Sequence, residues 1–461
     1  MKIVSVLVNR SRVRRLTGLL AEIHERDGVI SAAKLFFKLI GRKFPILWRQ
    51  LTTAPRASAI SRHVEAERAR SGRPYVAVAV TGGVGDHVVI ARFLRDLCAA
   101  VGDIGFDVFS PTPEQAAWVF AAVPGFICSY HDILFERLLP EYDAGFRANQ
   151  TIVVYREALC WSRLRNMPEL VRVIDNLIRA RAKVDVFIDR HPFLDNFLAR
   201  TALFAERTRR DFLHAMADIP YGGDSMAIPA DTVVADRLGL ESHCYVTVHN
   251  GFDTGFVITG RRATKCYPHF DAVVAILKRS VPHLTFVQVG VGTSEPIAEC
   301  DINLIGKTTL PEVAGILAKS AFHIDNESGL VHLARCYGVT AGVVFGPTPA
   351  GYFAYPDNVS IEPPVCGNCW WMTRTWMDSC AKGYAAPRCM TEQEPALVAD
   401  RILAAMDSLG LTSAPGNDVN AATPAAHNQE DRLKPGGLGE RALTGESLAQ
   451  NVTRLVPLPK R

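Results

Sequence analysis

Short apolar runs alternate with amphipathic stretches along most of the chain. The first run, Tyr75–Val80, has no polar position, which is typical of a strand buried on both faces of a parallel sheet. A glycine-rich turn at 81–87, a helical stretch at 88–100 and a second apolar run at 106–110 follow it. This alternation of strands and helices predicts a doubly wound α/β sheet.

A second series of the same kind begins at 244–249, after an irregular stretch at 219–241. It continues through helical stretches at 269–279 and 310–318, with apolar runs between and after them. Because the carboxyl ends of parallel strands meet at one edge of a sheet, ligands should bind beyond those ends. The residues that directly follow each strand are therefore the candidates for a functional site.

The whole chain is too long for one core, and we expect two Rossmann-like domains that face a cleft. The predicted first domain is 75–240, and the predicted second domain is 241–410. A basic amphipathic helical extension at 1–74 precedes them. Residues 411–461 are rich in Ala, Pro, Gly and Asn without periodicity, which predicts a disordered tail.

The stretch 322–348 is the most informative part of the second series. It predicts a short strand, a polar turn from Asp325 to Gly329, a helix and a second buried strand. Ser328 and Gly329 open the helix, where unpaired N–H groups and a partial positive charge suit a phosphate or a sugar hydroxyl. Glu327 would repel phosphate and is better suited to neutral hydroxyl groups. The alternative is an ordinary helix cap without a ligand.

The turn after the first strand is the second candidate site. It contains Gly83, Gly85, Asp86 and His87, but it lacks the dinucleotide fingerprint, which disfavours a nicotinamide-dependent dehydrogenase. Asp86 either caps the following helix or takes a proton from a substrate hydroxyl, and both alternatives stay open. The neighbouring His87 could shift the pKa of that carboxyl group.

The first strand of the second half is followed by three further candidates: His249, Asn250 and Gly251. A hydrophilic loop then carries three cations within five positions: Arg261, Arg262 and Lys265. Cations at the entrance to a helix suit a diphosphate, because the helix end adds N–H donors. The alternative for a single lysine is a solvated charge.

The charge of the chain is concentrated near its N-terminus. Residues 1–74 hold 16 Lys and Arg against 5 Asp and Glu, a net of +11, while the whole chain carries only +4. Apolar residues accompany these cations, so we expect the segment to lie on an anionic membrane surface or to cap the first domain. Nucleic acid is not an expected partner.

No apolar run approaches the about 20 residues that a membrane span needs, and the N-terminus lacks the features of a secretory signal. The expected location is the cytoplasm, with a peripheral position on the inner face of the cytoplasmic membrane.

Four of the eleven cysteines lie within one segment, 366–389. Cys366, Cys369, Cys380 and Cys389 could form a closed tetrahedral site for a structural zinc or iron ion. The alternative is four reduced thiols packed in a loop. The seven other cysteines are scattered in mostly apolar contexts and are expected to pack in the interior.

The candidate motifs occur in one order that resembles glycosyltransferase family 9, the bacterial ADP-heptose:lipopolysaccharide heptosyltransferases. The motifs are Gly85-Asp86, His249-Asn250-Gly251, Lys265-x-Tyr267-Pro268, Glu327-Ser328-Gly329-Leu330-Val331-His332 and Phe345-Gly346-Pro347-Thr348. The resemblance covers roughly residues 75–405. It implies a GT-B fold, with the sugar-nucleotide donor in the C-terminal half and the acceptor in the N-terminal half.

The resemblance also implies roles for individual residues. Asp86 falls on the general base, and Lys265 on the lysine that contacts the donor diphosphate, with Tyr267 replacing a tryptophan. The family's donor-binding segment falls on Glu327, Ser328, Gly329, Leu330 and His332. Glu327 stands where the family has aspartate, and Asp325 precedes it by two residues, so which acid holds the sugar stays open.

The expected function is an inverting transfer of a sugar, heptose from ADP-heptose, to a lipopolysaccharide core acceptor, a lipid-linked oligosaccharide. No catalytic metal is expected, because cations and helix-end N–H groups can stabilise the leaving diphosphate. One alternative keeps the chemistry and has a protein acceptor, such as an autotransporter, whose heptosyltransferases have a similar, iron-binding cysteine segment. Another is a non-catalytic sugar-nucleotide-binding or metal-binding assembly protein.

Overall fold

A computed structural model describes residues 54–188, 195–251 and 262–413, together with five single positions between 21 and 33. Most of the predicted basic extension and most of the predicted tail lie outside these residues, as does Arg261. In the ranges that the structure describes, no helix is long and apolar enough to span a membrane.

Eleven strands are present in the described residues, and they are numbered in chain order. They are β1 Tyr75–Val80, β2 Gly105–Ser110, β3 Phe126–His131, β4 Ala144–Ala148, β5 Ile152–Val154, β6 Tyr245–His249, β7 Thr285–Gln288, β8 Ile302–Asn303, β9 Phe322–Asn326, β10 Ala341–Val344 and β11 Val359–Ile361.

The α-helices of the same residues are also numbered in chain order. They are α1 Ala54–Ser71, α2 Val84–Val101, α3 Pro113–Phe120, α4 Phe135–Leu138, α5 Trp161–Leu164, α6 Pro168–Ile188, α7 Asp195–Phe204, α8 Phe212–Ala217, α9 Val233–Arg237, α10 Phe270–Ser280, α11 Leu310–Lys319, α12 Gly329–Cys336, α13 Ala350–Phe353, α14 Arg388–Thr391 and α15 Pro395–Ser408. Three short 3₁₀ turns lie at Asp132–Leu134, Leu139–Glu141 and Arg156–Ala158.

The first sheet has five strands in the order β3-β2-β1-β4-β5. Its strands are parallel except for β5, which runs antiparallel to β4. Every residue of β1 is buried, as its unbroken apolar run predicts. The strand order reverses between β1 and β4, and this is the point of an open α/β sheet where ligands bind.

The second sheet has six parallel strands in the order β11-β10-β9-β6-β7-β8. Its order reverses between β6 and β9. The predicted fold class, an α/β protein with two Rossmann-like parallel sheets of the GT-B type, is confirmed. The C-terminal helix α15 packs against α10 of the second sheet.

Two boundaries were predicted wrongly. Helix α2 begins at Val84, so Gly85, Asp86 and His87 lie in its first turn and not in a loop before residue 88. The other boundary is the end of β9. Asp325 and Asn326 belong to β9 and are completely buried, whereas their polarity predicted a turn. Their polar groups have partners inside the protein: Asp325 accepts hydrogen bonds from histidines, and Asn326 donates from Nδ2 to the carbonyl oxygen of Gly251 at 3.0 Å. A strand can hold buried polar residues when their hydrogen bonds are satisfied.

The two halves meet where α2 packs against α12. The contact is close at the start of both helices, because a Cβ atom on Gly85 would lie 3.2 Å from the Cα of Gly329 and 2.6 Å from the ring of His332. Glycine at position 85 therefore lets the two helix ends approach each other. As a result, the N-terminal ends of α2 and α12 reach the same region of the molecule.

Candidate active site

A cavity of 1130 Å³ is lined by the carboxyl-terminal sides of both sheets. Residues that follow β1 and β4 line it from the first half, and residues that follow β6, β7 and β9 line it from the second half. The predicted site residues in its wall are Gly83, Gly85, Asp86, His249, Lys265, Glu327, Ser328, Gly329, Leu330 and His332. The structure thus brings the candidates of both halves to one cavity.

Asp86 lies in the first turn of α2 and makes contacts through both carboxylate oxygens. Oδ2 accepts a hydrogen bond from the backbone N–H of Gly83 at 3.2 Å, as a capping residue does. Oδ1 accepts from Nη2 of Arg209 at 2.9 Å and from Nε2 of Gln150 at 3.4 Å. The side chain is 26% exposed, so it also faces the cavity. The two alternatives for Asp86 are therefore compatible.

Arg209 is a site residue that no pattern in the sequence predicts. Its side chain is almost completely buried, and its backbone N–H donates to the carbonyl oxygen of Tyr352 at 2.9 Å. Nη1 has no hydrogen-bond partner in the described part of the chain, although it is buried. Arg209 stands 123 positions from Asp86 in the sequence, so no local pattern could have indicated the pair.

Lys265 and Glu327 face each other in the second half of the cavity. Nζ of Lys265 lies 3.5 Å from Oε2 of Glu327, and both side chains are only slightly exposed. The preceding Thr264 fixes the loop, because its N–H and its hydroxyl donate to the carbonyl oxygens of Met377 and Trp376 at 2.8 and 2.6 Å. Lys265 also lines the cavity, where its positive charge suits an anion.

The N-terminus of α12 forms the part of the wall beside this pair. Ser328 accepts a hydrogen bond from the N–H of Leu330 at 3.1 Å and donates its hydroxyl to the carboxylate of Asp325. Gly329, the first residue of the helix, lines the cavity without a side chain. This end of α12 therefore has the cap and the open N–H groups that suit an anion.

The structure separates the two acids between which the sequence could not decide. Glu327 lines the cavity, whereas Asp325 is completely buried beneath it. Nδ1 of His249 donates to Asp325 at 2.9 Å, and Nε2 of His323 lies 3.3 Å from the same carboxylate. Burial alone would raise the pKa of Asp325, but the two histidines outweigh it and hold the pKa below its ordinary value.

Replacing Asp325 with asparagine should therefore destabilise the fold by about 1.5–3 kcal/mol near pH 7, because a charged hydrogen-bond acceptor is lost. A carboxyl group with a lowered pKa stabilises the fold above its unfolded pKa of about 3.9. The difference between wild type and variant should shrink as the pH falls through the folded pKa. Urea unfolding at several pH values measures it.

Asp236→Asn is the matched control, since that carboxylate pairs with Lys319 at the surface and should cost at most about 1 kcal/mol. Equal destabilisation by the two substitutions would show that the buried contacts of Asp325 with the two histidines stabilise the fold no more than a surface ion pair does.

Three predicted site residues, Asn250, Gly251 and His87, are not among the residues that line the cavity. Asn250 is buried. A side chain at Gly251 would collide with the ring of His249, so glycine at this position leaves room for that imidazole. His87 is buried in the first turn of α2. Its Nδ1 donates to the carbonyl oxygen of Gly83 and its Nε2 accepts from the hydroxyl of Ser110, both at 2.9 Å. Burial lowers the pKa of His87.

His332, the fourth residue of α12, lines the cavity. Burial, together with the positive charges of Arg92, Arg209 and Lys265, lowers its pKa to about 3. The imidazole is therefore neutral near pH 7. A neutral imidazole can donate or accept a hydrogen bond at a ligand without adding charge.

Comparison with known proteins gives one match to a family. Residues 250–363 match the model of glycosyltransferase family 9 (heptosyltransferase). The chain carries a glycosyltransferase family 9 domain. The resemblance expected from the motifs and the class of enzyme, a glycosyltransferase, are thereby confirmed. The matched segment contains Lys265 and the whole of α12, while Asp86 and the segment 366–389 lie outside it.

Three solved structures illustrate what the chain is similar to in shape. ADP-heptose lps heptosyltransferase II of E. coli shares 14% identity over 72% of this chain and 99% of its own, with a TM-score of 0.44. The family 9 glycosyl transferase of Veillonella parvula shares 12% identity over 74% of this chain and 98% of its own, with a TM-score of 0.42. The iron-containing dodecameric glycosyltransferase TibC of enterotoxigenic E. coli shares 13% identity over 74% of this chain and 81% of its own, with a TM-score of 0.47. No curated protein sequence matches the chain.

An aromatic wall lines the cavity on one side. It consists of Phe353, Trp370, Trp371 and Trp376, of which the three tryptophans belong to the segment 366–389. The rings of Phe353 and Trp370 lie 5.0 Å apart, and those of Trp371 and Trp376 lie 6.0 Å apart. Nε1 of Trp376 is buried and has no hydrogen-bond partner in the described residues. From the sequence, the three tryptophans could either pack in the core or line an acceptor or subunit surface, whereas Phe353 is not a predicted site residue.

The four cysteines of the segment 366–389 lie near one another but do not line the cavity. Burial raises the pKa of Cys389 to about 12, and the charges of the three other thiols contribute to this shift. Within the described residues, however, no group of three or more His, Cys, Asp or Glu side chains is arranged to hold a metal ion.

The zinc or iron site stays a prediction from the sequence, and elemental analysis of the purified full-length protein tests it. One zinc or iron ion per chain is the expected result, and Cys366→Ser with Cys369→Ser should remove it. Cys244→Ser is the control, because Cys244 lies far from the segment in the sequence. Metal-free wild-type protein would leave four reduced thiols as the correct interpretation.

Proposed function

We propose that this protein transfers a sugar from a sugar nucleotide to an acceptor hydroxyl with inversion at the anomeric carbon. The observation that carries the proposal is the shared cavity: Asp86 from the first half and Lys265 from the second half line the same space. A carboxylate for the acceptor and a cation for the leaving group are the two functions that such a transfer requires.

The reaction begins when Asp86 takes the proton of the acceptor hydroxyl. The oxygen attacks the anomeric carbon from the face opposite the nucleotide, and a new C–O bond forms. The bond between that carbon and the diphosphate oxygen breaks, and the nucleoside diphosphate leaves with the electron pair. Lys265 and the N–H groups at the start of α12 stabilise the negative charge that develops on the diphosphate.

The proposed donor is ADP-heptose, and the description of the matching family as heptosyltransferases supports it. The lining between β7 and α11 leaves room for a nucleobase, because its residues are small and uncharged: Gly290, Val291, Gly292, Gly306 and Thr308. Glu327 lies beside Lys265 and suits the neutral hydroxyl groups of the sugar. Nucleotide and sugar would thus occupy the second half of the cavity.

The proposed acceptor is a sugar of a lipopolysaccharide core. The aromatic wall supports a sugar as the acceptor, since flat aromatic faces pack against the apolar faces of sugar rings. The excess of 11 positive charges in residues 1–74 supports an acceptor held at an anionic membrane surface. A protein acceptor is the second candidate, which the assay below distinguishes.

The test is incubation of full-length protein with ADP-heptose, UDP-glucose or GDP-mannose, with release of nucleotide followed over time. The proposal predicts release from ADP-heptose that depends on added core oligosaccharide. Release that depends on a protein acceptor instead would favour the second candidate. Absence of release from all three donors with either acceptor would contradict a transferase and favour a binding protein.

A peripheral position at the cytoplasmic membrane is part of the proposal. Changing Lys34, Lys38, Arg42 and Lys43 together to glutamate in the full-length chain should abolish co-sedimentation with vesicles of phosphatidylglycerol and phosphatidylcholine. Vesicles of phosphatidylcholine alone are the control and should bind neither protein. Equal binding of wild type and variant to the anionic vesicles would contradict this part.

A further inference from the structure

A buried arginine joins the two halves behind the cavity. Arg92 lies on α2 and has no exposed surface, yet its partners belong to the second half. Nη1 donates to the hydroxyl of Tyr355 at 2.6 Å, and Nη2 donates to the carbonyl oxygen of His332 and to Sγ of Cys336, both at 3.3 Å. The helix that begins beside Asp86 is thus tied to the helix that carries His332.

The proton positions along this chain of contacts follow from the groups themselves. A guanidinium has only donors, so the oxygen of Tyr355 must accept from Arg92. The single proton of the tyrosine hydroxyl is then available for Nδ1 of His332, which lies 2.6 Å away. Nδ1 accepts this proton as a hydrogen bond and is itself unprotonated. The remaining ring proton of the neutral imidazole therefore stands on Nε2.

Nε2 of His332 is the open side of the ring. It has no hydrogen-bond partner in the part of the chain that the structure describes. It is also not one of the fully buried atoms without a partner, so it keeps some exposure to solvent. The absent side chain of Gly85 keeps this space clear, because a Cβ atom there would lie 3.4 Å from Nε2. His332 itself is part of the cavity wall.

We propose that Arg92 and Tyr355 are positioning residues that hold His332 as an Nε2–H hydrogen-bond donor toward an oxygen of the sugar diphosphate. The inference rests on the proposed function for the identity of the ligand, but the proton arrangement stands on the contacts alone. Asp86 and Arg92 share α2, so the same helix presents the carboxylate to the acceptor and fixes the donor-side imidazole.

The substitution that tests the positioning role of Arg92 and Tyr355 is Tyr355→Phe, which removes the hydroxyl and keeps the ring that packs against Arg92. Tyr337→Phe is the matched control, because its hydroxyl donates to the carbonyl oxygen of Ile228 at 3.0 Å and it does not line the cavity. Nitrogen-15 NMR of the histidine rings, assigned through His332→Ala, should show wild-type His332 protonated at Nε2 only. Tyr355→Phe should give a mixture of the two tautomers, and Tyr337→Phe should not.

Binding of ADP-heptose provides the second readout. Loss of one well-placed donor should weaken binding by about tenfold in Tyr355→Phe, and Tyr355→Phe should add nothing further in a His332→Ala background. An unchanged tautomer in Tyr355→Phe would overturn the positioning role of Arg92 and Tyr355. Fully additive effects of Tyr355→Phe and His332→Ala on ADP-heptose affinity would overturn it as well. If wild-type protein binds no ADP-heptose, the proposed function fails, while the NMR result still decides whether Tyr355 fixes the tautomer of His332.

Discussion

Replacing Asp86 with asparagine should lower turnover by about a hundredfold or more while donor binding stays intact. Asparagine has nearly the same size, but its single carboxamide oxygen can accept from Gly83 or from Arg209 and not from both, and it cannot take the proton of the acceptor hydroxyl. The loss should therefore appear in kcat rather than in the KM for the donor. Steady-state release of nucleotide at saturating acceptor measures both constants.

The control for this substitution must also leave an arginine without its carboxylate. Asp224→Asn does so, because Asp224 pairs with Arg210 at 2.9 Å and with Arg335 at 3.3 Å but does not line the cavity. Its activity should fall only as far as its stability does. If Asp86→Asn retained full turnover, or if both variants lost activity equally, Asp86 would not be the base.

Replacing Lys265 with alanine should lower turnover by about 10²–10³-fold, the loss typical of removing one group that stabilises transition-state charge. The lysine meets the diphosphate as it gains negative charge, so donor affinity should fall less than turnover. Lys278→Ala is the matched control, since Lys278 pairs with Asp301 at the surface of the same half. Single-turnover kinetics with donor and acceptor separates the chemical step from binding.

A decrease in donor affinity that fully accounts for the loss would show that Lys265 only binds the ground state. Unchanged turnover would place the leaving group elsewhere in the cavity.

The parts of the site that the sequence predicted are those fixed by strand ends. Asp86 follows an uninterrupted apolar strand, and Ser328 and Gly329 open an amphipathic helix, so their position at the edge of a sheet could be inferred locally. That both edges would face one cavity followed from the expected GT-B arrangement. The packing of Gly85 against Gly329 provides this arrangement physically.

The parts that the sequence could not predict depend on long-range contacts. Arg209 lies in an irregular connection, and only the folded chain places it beside Asp86. Asp325 looked like a turn residue because buried carboxylates are rare, and its partner His249 is far away in the sequence. The tryptophans of 366–389 stand among the cysteines in the sequence, and only the folded chain shows that they line the cavity.

A crystal structure of the full-length protein with bound ADP-heptose would show whether Asp86 and Lys265 face one substrate. We expect the diphosphate against Lys265 and the start of α12, with the anomeric carbon turned toward Asp86 across the cavity. A sugar nucleotide bound away from this cavity, or with its anomeric carbon facing away from Asp86, would contradict it.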